Sequence, residues 1–248
     1  MKKWNLILSV MLAIALIFFG LTLISLNSVQ KDTGELGGEI GRLNEELKSI
    51  NTKLAKLEVK DFDSAKIYAE TKKAVVMIGG GAGFLYIKNT QVITAFHVIA
   101  ELLSDKTVEV FPNDGVHILI RGKIKFVKVD WDLAVIELEE PIDAAPLMPA
   151  DVINLTGGER VLAIGNPEGL KNSLSAGVIS GLAIRRSSPS GPLISTDLSL
   201  DRGSSGGPLI NKNGEVIGVI SKSLWNLTFG FAIPIDKVDQ LIAEGGAP

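Results

Sequence analysis

KFVKVDWDLAVIEL, residues 125–138, is the stretch on which the architecture turns. Two short runs, KFVKV (125–129) and LAVIEL (133–138), are rich in β-branched and apolar residues, and Asp130 and Asp132 stand between them. Such runs, too short for a helix of several turns, predict β-strands. Asp132 comes immediately before the apolar run, where a carboxylate is partly buried and costly unless paired.

The same texture extends in both directions. VVMI (75–78), FLYI (84–87), VIT (92–94), VEVF (108–111) and HILI (117–120) precede it. VLAI (161–164), GVIS (177–180), LIST (193–196), PLI (208–210), VIGVIS (216–221) and FGFAI (229–233) follow. Turn signals such as Asn113-Asp114-Gly115, Gly157-Gly158 and Asn213-Gly214 separate them. Roughly 180 residues with about a dozen short strands predict an all-β fold of two small barrels. Pro234 to Glu244, with Ile235, Val238, Leu241 and Ile242 and then Gly245, predicts a closing helix.

Composition narrows the function. Of 248 residues, 46% are hydrophobic and 21% charged, which excludes a largely disordered chain. A net charge of −3 argues against nucleic-acid binding. Cysteine is absent, which removes disulfides, thiolate metal sites and a cysteine nucleophile. With only two histidines, His97 and His117, a histidine-rich metal site is not expected; no cofactor is expected either.

DRGSSGGPL (201–209) gathers glycines around two serines. A serine hydroxyl needs a base to become a nucleophile, and the oxyanion it creates needs preorganised N–H donors. Glycines allow a tight turn to aim successive amides into one hollow. The amides of Gly203 and Ser205 suit that hollow, which makes Ser205 the nucleophile and sets Ser204 across the turn. His97, in VITAFHVIA, follows an apolar strand and opens a helical turn, and is the candidate base. His117 lies in an alternating run and reads as an ordinary strand residue. Asp130 and Asp132 are the candidate orienting carboxylates, Asp132 the better placed. Each signal alone has an ordinary explanation as a turn or core residue; together they describe a nucleophile, a base and an orienter.

The first sixty residues differ. Leu6 to Leu26 carries no charge, and about 20 apolar residues span a bilayer as a helix. No Ala-x-Ala cleavage site follows, so an uncleaved anchor (6–26) is expected rather than a secretory signal. Lys2 and Lys3 place the N-terminus (1–5) in the cytoplasm and the remainder outside the cell membrane. Leu36, Ile40, Leu43, Leu47, Ile50, Leu54 and Leu57 alternate spacings of 4 and 3, a heptad seam that predicts a self-associating coiled-coil stalk over 27–60. Residues 61–248 form the remaining domain.

TAFHV, DLAVIEL and GSSGGPL resemble the three catalytic segments of trypsin-like serine proteases. AIGNPEGL, GVISG, STDLSLDRGSSGGPLIN, GEVIGV and GFAIPID resemble more closely the HtrA (DegP-type) proteases, over roughly Val75 to Val238. The resemblance implies two six-stranded antiparallel β-barrels, with His97 as general base, Asp132 as its partner, Ser205 as nucleophile, and Gly203 and Ser205 amides as oxyanion hole. It also implies cleavage of unfolded or misfolded polypeptides after small or medium aliphatic residues, in protein quality control, by a homotrimer. Ser199, where members that cut after Lys or Arg carry Asp, together with Leu200 and Ile220, is the expected substrate pocket, with Leu198 nearby. Two positions depart from the family: Ser204 replaces a usual Asn, and Phe96 a usual small residue. The chain ends about ten residues after GFAIPID, so no PDZ domain is expected in it. RRSSPSG (185–191) and KSLWNLTFG (222–230), with Trp225 as an anchor or a packing residue, are the candidate control loops. Asn154-Leu155-Thr156 and Asn226-Leu227-Thr228 match the glycosylation triplet, which chance also produces. A hydrolytically idle chaperone or scaffold is the alternative to a peptidase.

Overall fold

The computed structural model describes residues 2–58, 62–113, 116, 118–183, 191–200, 203–221 and 230–245. The chain divides into two units, Met1–Asp61 and Phe62–Pro248.

The first unit is one helix, α1 (Lys2–Glu58). At 1.5 Å per residue it is about 85 Å long. The helix runs through Gly34, Gly37, Gly38 and Gly41 without a break. Leu36, Ile40, Leu43, Leu47 and Ile50 are exposed along it. The expected membrane span gains no support here: among the described residues no helix is long and apolar enough to cross a membrane. Most side chains of 6–15 lie outside the described residues.

The second unit begins with a helix that has no counterpart in the sequence reading, α2 (Ser64–Thr71). Asp63 caps it, accepting the Lys66 amide at 2.9 Å. Ile67 is buried, so the helix docks by one face.

The first barrel consists of β1 (Val75–Ile78), β2 (Gly81–Tyr86), β3 (Lys88–Ala95), β4 (Thr107–Phe111), β5 (Ile120–Lys128) and β6 (Leu133–Leu138). It closes in the order β1-β2-β3-β6-β5-β4. The second consists of β7 (Arg160–Gly165), β8 (Ser173–Ala183), β9 (Leu193–Thr196), β10 (Pro208–Ile210), β11 (Val216–Ile220) and β12 (Gly230–Pro234). It closes as β10-β11-β12-β9-β8-β7. Every pairing between two of these twelve strands is antiparallel, so the expectation of two six-stranded barrels holds. Closure leaves neither sheet with a free edge.

One strand differs from expectation. HILI was expected at 117–120, apart from KFVKV, yet β5 begins at Ile120 and runs through to Lys128 as one strand. A register shift between Ile124 and Phe126 bends it around the barrel. Ile118 is exposed, outside the strand, and His117 lies outside the described residues. Leu133 to Ile136 of β6 are wholly buried, consistent with its apolar run; Leu133, Val135 and Ile136 each contribute about 1.5–3 kcal/mol. The closing helix α4 (Asp236–Glu244) starts two residues later than Pro234 and is capped by Gly245 in the left-handed region. Tyr86, buried in the first barrel, donates its hydroxyl to Asp239 on α4 at 2.6 Å.

Candidate active site

Strand register brings the first two residues together. Ala95, the last residue of β3, pairs with Leu133, the first of β6. In an antiparallel pair, the residue leaving one strand meets the residue entering the other. His97 lies just past Ala95, on the short helix α3 (Phe96–Ile99), and Asp132 lies just before Leu133. The Phe96 amide donates to the Asp132 carbonyl at 3.0 Å, and the His97 amide to Asp132 Oδ1 at 2.9 Å. His97 Nδ1 lies 2.8 Å from Oδ2 and 3.0 Å from Oδ1.

Asp132 ends a 3-10 turn, Val129–Trp131, in the left-handed conformation at φ 55° and ψ 40°. Few residues other than glycine adopt it, but aspartate does so more readily than most. Ser221, directly after β11, is buried and donates its hydroxyl to Asp132 Oδ2 at 2.5 Å. Burial pushes the Asp132 carboxyl upward; hydrogen bonds from His97 and Ser221, with the His97 charge, outweigh it and hold the group below the ordinary carboxylate range. An ionised carboxylate only accepts, so it fixes the proton on Nδ1 of the neutral ring and leaves Nε2 as the basic nitrogen.

Next to this pair, Trp131 has two cations near its ring. Lys128 Nζ and Lys237 Nζ, the latter from α4, each lie 5.0 Å from its ring centre.

The glycine-bounded serine turn is wedged between the barrels. The Ser205 carbonyl accepts the Ala82 amide of β2 at 2.8 Å, and the Gly206 amide donates to Ile220 of β11 at 2.7 Å. Gly206 has φ 84°, and a Cβ there would collide with the Ala82 carbonyl and Thr94 hydroxyl and lie 3.0 Å from the Ala95 amide. That places the residue after Ser205 against the end of β3, from which His97 departs. Ser204 and Ser205 are both nearly buried. Gly203, at φ 96°, is pressed against the Asn166 carbonyl and Pro167, and its own carbonyl accepts the Asn166 amide at 3.0 Å.

The expected pocket residues fall in three environments. Ser199 is exposed, Leu200 half-buried against the second-barrel core, and Ile220 wholly inside that core with Leu198. Asp201, Arg202 and Trp225 lie outside the described residues, as do 185–190 and 222–229. Asp130 makes no hydrogen bond with His97, whose carboxylate partner is Asp132. Sequence reasoning missed Ser221 and Asn166. Asn166 sits in the quoted AIGNPEGL but carries no chemical signal of its own. Among the described residues, no cluster of His, Asp and Glu could hold a metal ion.

Two closed barrels with a histidine–aspartate pair and a glycine-bounded serine at their junction define the class of trypsin-like peptidase domains. The family described as "Trypsin-like peptidase domain" matches residues 81–219. Protease Do-like 5 of Arabidopsis thaliana chloroplasts is 36% identical over 181 residues, covering 66% of this chain and 56% of that protein. The putative serine protease HhoB of Synechocystis is 36% identical over 173 residues, covering 67% and 40%. The crystal structure of Deg5 superposes with a TM-score of 0.64 at 34% identity, covering 74% of this chain and 96% of that one. The chain belongs to the HtrA/Deg-type trypsin-like serine protease family. It spans about half the length of the two curated relatives, 56% and 40%.

Proposed function

We propose that the chain is a membrane-tethered serine endopeptidase that cleaves unfolded or misfolded polypeptides. The observation that carries this reading is the hydrogen-bonded His97–Asp132–Ser221 group, together with a Ser205 turn whose next residue, Gly206, abuts the end of β3 from which His97 departs.

In this mechanism Nε2 of His97 removes the Ser205 hydroxyl proton as the oxygen attacks the substrate carbonyl. Asp132 holds the ring and stabilises the imidazolium that forms. The tetrahedral oxyanion is met by the amides of Gly203 and Ser205. The imidazolium then protonates the leaving amine, and water, activated by the same nitrogen, releases the acyl group from Ser205. Ser199, Leu200 and Ile220 receive a small or medium aliphatic side chain on the acyl side.

The tether is the uncharged run Leu6–Leu26, with the N-terminus cytoplasmic and the peptidase domain on the far side. The exposed seam of α1 supports a self-associating stalk, and a homotrimer joined through stalk and peptidase domain is the assembly in this reading. Sedimentation of residues 27–248 should return a trimer; a monomer refutes the assembly.

The central test is turnover of casein by the wild type and by Ser205→Ala. The substitution should reduce it about 10⁶-fold. Undiminished proteolysis ends the assignment. A fluorophosphonate probe should label Ser205, and absence of labelling even with unfolded substrate present favours the idle scaffold.

A further inference from the structure

Three hydrogen bonds run in series from the first helix of the peptidase unit to the serine turn, and a fourth ties the path to β1. The Tyr68 hydroxyl, on α2, donates to the Asn172 carbonyl at 2.8 Å. The Asn172 amide donates to Asn166 Oδ1 at 3.1 Å. The Asn166 amide donates to the Gly203 carbonyl at 3.0 Å, while Asn166 Nδ2 anchors the side chain on the Val76 carbonyl of β1 at 3.0 Å. Asn166 is 3% exposed and Asn172 9%, so the bonds of these two asparagines to each other and to Val76 are shielded from competing water, while the Tyr68 link is half-buried.

We infer that α2 is a positioning element for the oxyanion turn, with Tyr68 as the residue through which it acts. The inference rests on the peptidase reading of Ser205 and Gly203. The physical reason lies at both ends of the 166–172 turn. At one end, Gly203 is pressed so closely on Asn166 and Pro167 that a Cβ would not fit, so the Gly203 peptide follows that backbone. At the other, Asn172 holds a left-handed conformation, φ 60°, and buries a side-chain oxygen that has no hydrogen-bond partner. The unpartnered buried oxygen is unfavourable, so this end of the turn depends on outside contacts to hold its place. The Tyr68 hydroxyl supplies one of them. Releasing it lets the turn relax, and the Gly203 amide moves away from the position an oxyanion requires.

Tyr68→Phe in the full chain removes only the hydroxyl. The expected result is a kcat about 10-fold lower with KM unchanged, less than the roughly 10²–10³-fold typical of deleting an oxyanion donor. Affinity for a peptidyl boronate, whose tetrahedral adduct fills the oxyanion position, should fall by the same factor. Amide hydrogen exchange should quicken in 161–172 and 203–207. Lys72→Ala, which strips the cation lying 5.2 Å from the Tyr68 ring but leaves the hydroxyl, should change none of these. Unchanged kcat and boronate affinity in Tyr68→Phe overturn the inference, as does a parallel change in kcat and KM with a lowered melting temperature. If the wild type neither hydrolyses casein nor takes the fluorophosphonate, the peptidase reading has failed. The coupling then stands or falls on hydrogen exchange alone, and unaltered exchange at 203–207 refutes it.

Discussion

Asp132 holds its left-handed backbone while its carboxylate accepts from the His97 amide, the His97 ring and the Ser221 hydroxyl. Asp132→Asn should lower kcat about 10⁴-fold by presenting the imidazole with the wrong partner; steady-state assays check this. The depressed carboxyl also has a stability consequence. Its ionised form contributes fully above the unfolded value, about 3.9, and the contribution is lost as pH falls through the lower folded value. Ser221→Ala removes one of the bonds that hold the group down, so its folded value rises towards the unfolded one. The expected cost at neutral pH is about 1.5–3 kcal/mol, shrinking as the solution is made acidic, measured by denaturation at a series of pH values. The pairing of His97 with Asp132 was legible because each sits in a short segment whose residue types announce it. Ser221 was not, because its partner lies 89 positions away and VIGVIS carries only the signature of a strand.

Tyr86 ties the first barrel to α4. Burial, then the bond to Asp239 and its negative charge, raise the phenol well above its ordinary value. The stability this lends is complete below the unfolded value, about 10, and is lost as pH climbs from there towards the folded one. Tyr86→Phe should cost about 1 kcal/mol at neutral pH and flatten the alkaline decline, as thermal melts at pH 8 and above (about 8–11) would record. At the scale of elements, the strands were legible wherever an apolar run was bounded by turns. HILI misled because Ile118 is apolar yet exposed, so its alternation had nothing to do with a sheet. The helix α2 escaped notice because eight residues are barely two turns, and SAKIYAET buries only Ile67 and Thr71.

The two barrels are locked together at Gly206, whose amide bonds to β11 while its α-carbon abuts β2 and β3. Gly206→Ala adds a methyl group with no space to enter and a left-handed conformation it resists. We expect a loss of about 3 kcal/mol in global stability, measured by denaturant unfolding, along with loss of any activity. The pair of barrels was legible from the number of short strands, but the wedge between them was not, since a glycine's neighbours across a junction leave no mark in sequence. Trp131 carries a practical corollary. Its indole lies within 5.0 Å of ammonium groups from β5 and α4, one residue from Asp132. The chain has three tryptophans, and replacing Trp4 and Trp225 by Phe leaves a single emitter at this place. Its fluorescence colour and quenching then serve as a label-free gauge of whether the bed beneath the aspartate stays assembled during turnover.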